Sequence, residues 1–322
     1  MLQGRHRKKV IFVVQFVFAL GLLAVLWRIV EGEEALRLLA RAEPWWLVAS
    51  FCALTLQTAL SALRWRLTAR QLGIVLTKAE AIKEYYLAQI VNQAVPGGIS
   101  GDAGRAVRAR AQAGLMASSQ AVLLERVAGQ VALGVVMFFG LGVAVTLPGG
   151  LSLLSGLALA VSLLVGGAVV GVVALFALAR RSAGRVANGL VSLGAAAKAA
   201  FSPASVRWAQ IGLSLATALC NVAGFTFAAW AIDSDLRVSA ALALVPIILL
   251  AMALPLTISG WGVREGAAVA LFPLGGIAAV EGLAASVAFG SVFLVVTLPG
   301  LAFASSGRRQ GLRENEVSAS SA

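Results

Sequence analysis

The sequence predicts an all-α polytopic membrane protein built from two inverted halves, with about six full spans and two broken, re-entrant hairpins. Three observations lead there. Hydrophobic residues make up 60% of the 322 positions and charged residues only 12%, too little polar surface for a soluble domain of this length. Several apolar runs reach the roughly 20 residues that cross about 30 Å of hydrocarbon. A ten-residue pattern rich in Pro and Gly then interrupts two apolar regions, at 96–105 and at 255–264.

The elements follow in order. Arg5, Arg7, Lys8 and Lys9 precede an apolar run over 10–30, too long for a signal h-region and without a small-residue cleavage site, so it is expected as a retained first span. A polar stretch, 31–43, carries four acidic and two basic residues. Span two, 44–63, opens on Pro44-Trp45-Trp46 and ends at Arg64-Trp65-Arg66, both expected as interfacial anchors. Residues 78–95 are expected as helix and 77–116 as a whole as a re-entrant hairpin, because the apolar stretch is too short and broken to span. Span three is placed at 117–147, span four at 151–179, an interfacial helix at 183–200 and span five at 206–232. The region 238–280, broken by Pro246, Pro255 and Gly-rich 259–266, is a second hairpin; taken as two full spans it would raise the count to eight. The last span is 283–304, and 305–322 is a polar tail.

The net charge of +12 follows from topology rather than from nucleic acid, since no basic stripe interleaved with aromatics is present. With both hairpins returning to their own side, 21 of the 26 Lys and Arg fall on one face; the exceptions are Arg28, Arg37, Arg41, Arg237 and Arg264. That asymmetry places the N- and C-termini in the cytoplasm, in a bacterial-type inner membrane. Cys52 and Cys220 lie in apolar runs and are expected as packed thiols. His6 is the single histidine, and no metal cluster, Ser-His-acid triad or nucleotide motif can be assembled. No cofactor, metal or catalytic residue is therefore expected.

The segments PGGISGDAGR and PLTISGWGVR both fit P-x-x-I-S-G-x-x-x-R at a spacing of 159 residues. The same shift carries span two onto span five and span three onto the last span, dividing the single membrane domain into halves of about 10–147 and 151–304. Three crossings per half is an odd number, so the halves have opposite topology, and matched broken segments in such repeats point to a substrate site. Pro removes a backbone donor and Gly permits close approach, so this backbone survives in a membrane only beside a cavity or within protein. Around the first break, Asn92, Pro96, Gly97, Gly98, Ser100, Asp102 and Arg105 offer amides, a hydroxyl and a guanidinium, groups that suit a phosphate. Ser259, Trp261, Arg264 and Glu265 are the matching set, with Arg264 and Glu265 expected to pair with each other. Glu125-Arg126 is either a structural ion pair or part of the cavity lining; Arg108 and Arg110 read as ordinary positive-inside residues, and Glu84, Tyr85 and Tyr86 as interface anchors.

The order and spacing of Leu63-Arg64-Trp65-Arg66, Asn92-x-x-x-Pro96-Gly97-Gly98 with Arg105, Glu125-Arg126, and Pro255 with Gly260-x-Gly262-Val263-Arg264-Glu265 resemble the lysylphosphatidylglycerol synthase transmembrane-region family, the flippase-like domain. The resemblance covers essentially the whole chain. In its best-known members it implies translocation of an aminoacylated phospholipid between leaflets; the residues above point to membrane lipids with a phosphate-bearing or otherwise anionic headgroup as partners. The chain departs from the best-known members, which carry a soluble aminoacyl-transferase domain: about 18 polar residues follow the last span. Lysylphosphatidylglycerol is accordingly doubtful as substrate. Two other functions stay open at this stage: an integral-membrane transferase acting on a lipid-linked sugar, with Asp102, Glu84 or Glu125 as acid, or an accessory subunit of a separate envelope-lipid synthase.

Overall fold

The structure is a computed structural model that describes residues 2–95, 98–146, 156, 177–178, 184–252, 257 and 259–304. Span four apart from residues 156 and 177–178, together with Pro96, Gly97, Pro255 and the tail 305–322, lies outside the described residues. Every regular element among the described residues is helical. In chain order these are α1 (Leu2–Ile29), α2 (Gly32–Ala40), α3 (Pro44–Gln71), α4 (Lys78–Ala94), α5 (Ser100–Thr146), α6 (Arg185–Phe201), α7 (Ala204–Ala231), α8 (Val238–Ala251), α9 (Val263–Leu271), a 3₁₀ turn Phe272–Gly275, and α10 (Ala279–Thr297). Four helical stretches are long and apolar enough to cross a membrane: Pro44–Gln71, Ser100–Ala144, Ala204–Ala231 and Ala279–Ala304.

α5 is two helices in sequence. Gly114 inside it has φ 79° and ψ 163°, outside the helical region. In a straight helix Arg105 and Glu125 would stand about 30 Å apart; instead they form an ion pair at 2.9 Å, so the chain reverses at Gly114. The arm before Gly114 pairs antiparallel with α4: Arg108 meets Glu84, Asn92 meets Asp102, and the Val75 amide donates to Gln112 Oε1 at 2.7 Å. The segment 77–116 therefore returns to the side it left. α4, with 17 residues, covers about 26 Å and α8, with 14, about 21 Å, both short of a full crossing. The second half repeats the plan. Gly276 (φ 76°) reverses the chain after α9, which brings Arg264 within 2.8 Å of Ser286 on α10.

The halves correspond closely. α3 and α7 begin 160 residues apart and have the same length, 28 residues. Both end on a left-handed residue, Gly73 (φ 84°) and Asp233 (φ 61°). In each, the residue after it donates to the carbonyl five back, Ile74 to Ala69 at 3.0 Å and Ser234 to Ala229 at 3.2 Å, which satisfies an otherwise orphaned helix-end carbonyl.

α3 and α7 pack antiparallel. The Glu43 amide donates to the Ala231 carbonyl, Trp46 stacks on Phe227 and Trp230, Ser50 meets Gly224, and Gln210 meets Arg64. The contacts are also reciprocal. Ser50 Oγ donates to the Gly224 carbonyl, and Gln210 Nε2 donates to the Arg64 carbonyl. A shift of 160 turns position 50 into 210 and position 64 into 224, so these two bonds are one contact seen twice. Reciprocity of this kind marks a two-fold relation between the halves. The one residue pair that is both shift-related and opposed across this interface is Gln57 and Thr217, so the two-fold axis passes between them. The glycines Gly140 and Gly300 are also related by this shift, and each abuts the backbone of the short helix of the other half, at Leu242 and Tyr86, contacts that correspond to within one helical turn.

Three expectations change. The polar stretch 31–43 contains α2, started by left-handed Glu31 (φ 52°) and anchored by buried Ala35. Arg64 and Trp65 are not interface anchors; α3 continues past them to Gln71, and they are 4% and 1% exposed. Cys52 is exposed on the outside rather than packed.

Candidate functional site

A cavity of about 270 Å³ lies where α3, α4, the two arms of α5, α7, α8 and α10 converge. Gln57 and Thr217 are both on its wall, so it sits on the two-fold axis between the halves. Its polar lining comes mainly from the first half. On α3, Gln57, Ser61 and Arg64 face inward at helical spacing. On α4, Tyr85, Gln89, Asn92 and Gln93 do the same.

An ionic network forms the wall beside α5. Glu125 is 1% exposed and receives Arg64 through Oε1 and Arg105 through Oε2, the latter at 2.9 Å. Tyr85 donates its hydroxyl to Glu125 at 3.3 Å. Asp102 receives Arg105 at 2.8 Å, Arg126 at 2.7 Å and the Asn92 amide at 3.2 Å. Asn92 in turn accepts from the Gly101 amide at 2.8 Å, which caps the start of α5, and Arg126 donates to the Gly98 carbonyl at 2.8 Å. The network thus ties the broken segment to both its neighbours. Three guanidiniums oppose two carboxylates, so the cluster carries a net positive charge. Arg105 is 1% exposed and sandwiched between the Trp65 and Tyr85 rings, 4.7 Å from each, an arrangement that favours a desolvated cation. Arg126 is the accessible member, with 42% of its side chain exposed.

The second half has a counterpart centre. Arg264 pairs with Glu265, donates to Ser286 Oγ at 2.8 Å and lies over the Trp261 and Phe289 rings. Glu265 also accepts from the Gly262 amide at 2.6 Å and from Ser286 at 3.0 Å. Arg264 and Glu265 are 1% and 0% exposed, and this centre is neutral.

The structure divides the predicted site. Asn92, Gly98, Asp102, Glu125, Arg126 and Ser259 line the cavity. Arg105, Ser100, Trp261, Arg264 and Glu265 do not: the two arginines expected to hold a phosphate stand behind the wall, committed to buried acids. Glu125 and Arg126 do not pair with each other; adjacent on a helix, they point to different partners. Arg264 and Glu265 pair as expected. Gln93, which the sequence placed with Asn92 just before the break, also lines the cavity; sequence reasoning missed Arg64 and the carboxamides Gln57, Gln89, Gln130 and Asn221. The signal was present: several of these recur at i, i+4 and i+7 inside apolar helices, where polar groups turn inward.

Residues 12–300 match the family described as the lysylphosphatidylglycerol synthase TM region. The chain belongs to that family. No curated protein matches it individually. Membership and the long apolar helices together make this a multi-pass membrane protein of a family with lipid-related functions.

Proposed function

We propose that the protein moves a phosphate-bearing lipid, a phospholipid or a polyprenyl-phosphate-linked lipid, between the leaflets of a bacterial inner membrane, with both termini in the cytoplasm. The observation that carries this reading is the polar cavity on the axis between two antiparallel halves. A site on such an axis is exposed to either leaflet when one half rocks against the other. Arg126 and Arg64 meet the phosphate, and Arg105 acts as a positioning residue that holds Glu125 and Asp102 in place. A transferase would need a free acid as base. Asp102, Glu125 and Glu84 are each committed to arginine partners instead, which favours transport over group transfer.

The test is reconstitution in liposomes with labelled lipid. Transport above that of empty vesicles is expected, and Arg126→Gln reduces it about tenfold, the worth of one charge-assisted hydrogen bond. The half-exposed Arg126–Asp102 pair adds little to stability, so the variant unfolds within about 1 kcal/mol of the parent. If neither a phospholipid nor a polyprenyl phosphate moves faster than in empty vesicles, the reading is wrong.

A further inference from the structure

We infer that the cavity selects a headgroup that is anionic and carries several hydroxyls, a glycerol, inositol or sugar behind a phosphate, and discriminates against aminoacylated cationic headgroups. The inference rests on the reading of this cavity as the lipid-headgroup site. It comes from the polar atoms that the protein leaves unpaired there.

Among the described residues, Gln89, Gln93 and Thr257 belong to the cavity wall, and Gln89 Oε1, Gln93 Oε1 and Thr257 Oγ1 are buried just behind its surface without a hydrogen-bond partner. Arg64 Nε and Nη1 are in the same condition. Unpaired buried groups of this kind are costly and call for a partner. The two carboxamide oxygens accept and need donors. The guanidinium nitrogens donate and need acceptors. Gln89 Nε2 donates to Thr58 Oγ1 at 3.2 Å, and Thr58 gives its own hydrogen to the Leu54 carbonyl at 3.0 Å, so a reversed amide would set two acceptors against each other.

An ionised phosphate accepts only, so it satisfies Arg64 and Arg126 but leaves Gln89 and Gln93 unmet. An ammonium donates only, and it would enter beside three guanidiniums balanced by two carboxylates. A hydroxyl both donates and accepts. Several hydroxyls linked to one phosphate match the whole wall. Across the cavity Phe293, stacked 6.1 Å from Phe289, supplies an apolar ring for the C–H face of a polyol.

The experiment uses the full-length protein and four acyl-labelled lipids: phosphatidylglycerol, phosphatidylinositol, phosphatidic acid and lysylphosphatidylglycerol. Binding is read in detergent by native mass spectrometry, and leaflet exchange is read in liposomes by quenching the outer label. Phosphatidylglycerol and phosphatidylinositol are expected to bind about tenfold more tightly than the other two, the factor set by one or two buried hydrogen bonds. Gln93→Leu is expected to abolish that preference, and its thermal unfolding in detergent, close to that of the parent, reports that the variant is folded. Equal binding of phosphatidic acid or lysylphosphatidylglycerol, a full preference retained in Gln93→Leu, or no binding at all overturns the inference. Exchange of all four lipids at one rate overturns it and leaves transport standing. Selective binding without exchange overturns transport and leaves the headgroup assignment standing.

Discussion

The two halves of this protein each bury an arginine against a glutamate, but the two centres differ in what surrounds them. In the first half Arg105 shares Glu125 with Arg64, and the network runs on through Asp102 to half-exposed Arg126 at the cavity. In the second half Arg264 and Glu265 close on each other and on Ser286, with no exposed member. The first centre is charged, branched and open; the second is neutral, compact and sealed. The same local motif therefore opens onto the cavity on one side of the axis and is sealed within the protein on the other.

The most severe way to break this contrast is Glu125→Gln. It leaves Arg64 buried without a counter-charge and Arg105 with Asp102 alone, and a loss of about 3–5 kcal/mol in unfolding free energy is expected, measured by denaturation in detergent. Next comes packing against each arginine. A Cβ at Gly290 would stand 2.2 Å from Arg264 Nη2 and 2.9 Å from the Trp261 ring, whereas one at Gly129 would stand 2.9 Å from Arg64 Nη2. Gly290→Ala is expected to cost about 1–3 kcal/mol and Gly129→Ala less, because the sealed centre has nowhere to shift. Equal costs in thermal unfolding would erase the distinction.

The double replacement Arg264→Met with Glu265→Leu sharpens it. Removing both charges of a sealed pair together is often neutral. Stability is expected to stay within about 1 kcal/mol and lipid transport to persist, as followed in liposomes; loss of transport in a folded variant would give the second centre a direct role. The smallest effect is at the matched helix ends. Asp233 holds the left-handed conformation that Gly73 holds in the first half. Asp233→Gly is expected to stabilise by up to about 1 kcal/mol in the same unfolding assay.

Local chemistry made the breaks readable in the sequence. Pro, Gly and Arg stand out in an apolar chain, so 96–105 and 255–264, the repeat and the hairpin over 77–116 could all be placed. What the chain reversals brought together could not. Arg64 and Glu125 are 61 residues apart, and their pairing depends on the turn at Gly114 and on the packing of α3 against α5. Arg64 beside Trp65 has the composition of an interface belt, and only the extension of α3 to Gln71 carries it inside. The carboxamides were hidden for another reason: each one alone barely disturbs an apolar run, and the cavity appears only when four helices align them. α2 was missed because its charged residues mask a single buried face.

The position of the axis has an evolutionary consequence. A homodimer of half-length chains would present the same residue twice across its two-fold, so a pocket there would have to suit a ligand with matching symmetry or treat its two ends alike. Two halves within one polypeptide are free of that constraint. Position 57 could become glutamine while its mate, 217, became threonine, and the two walls were free to specialise for the unlike ends of an asymmetric molecule.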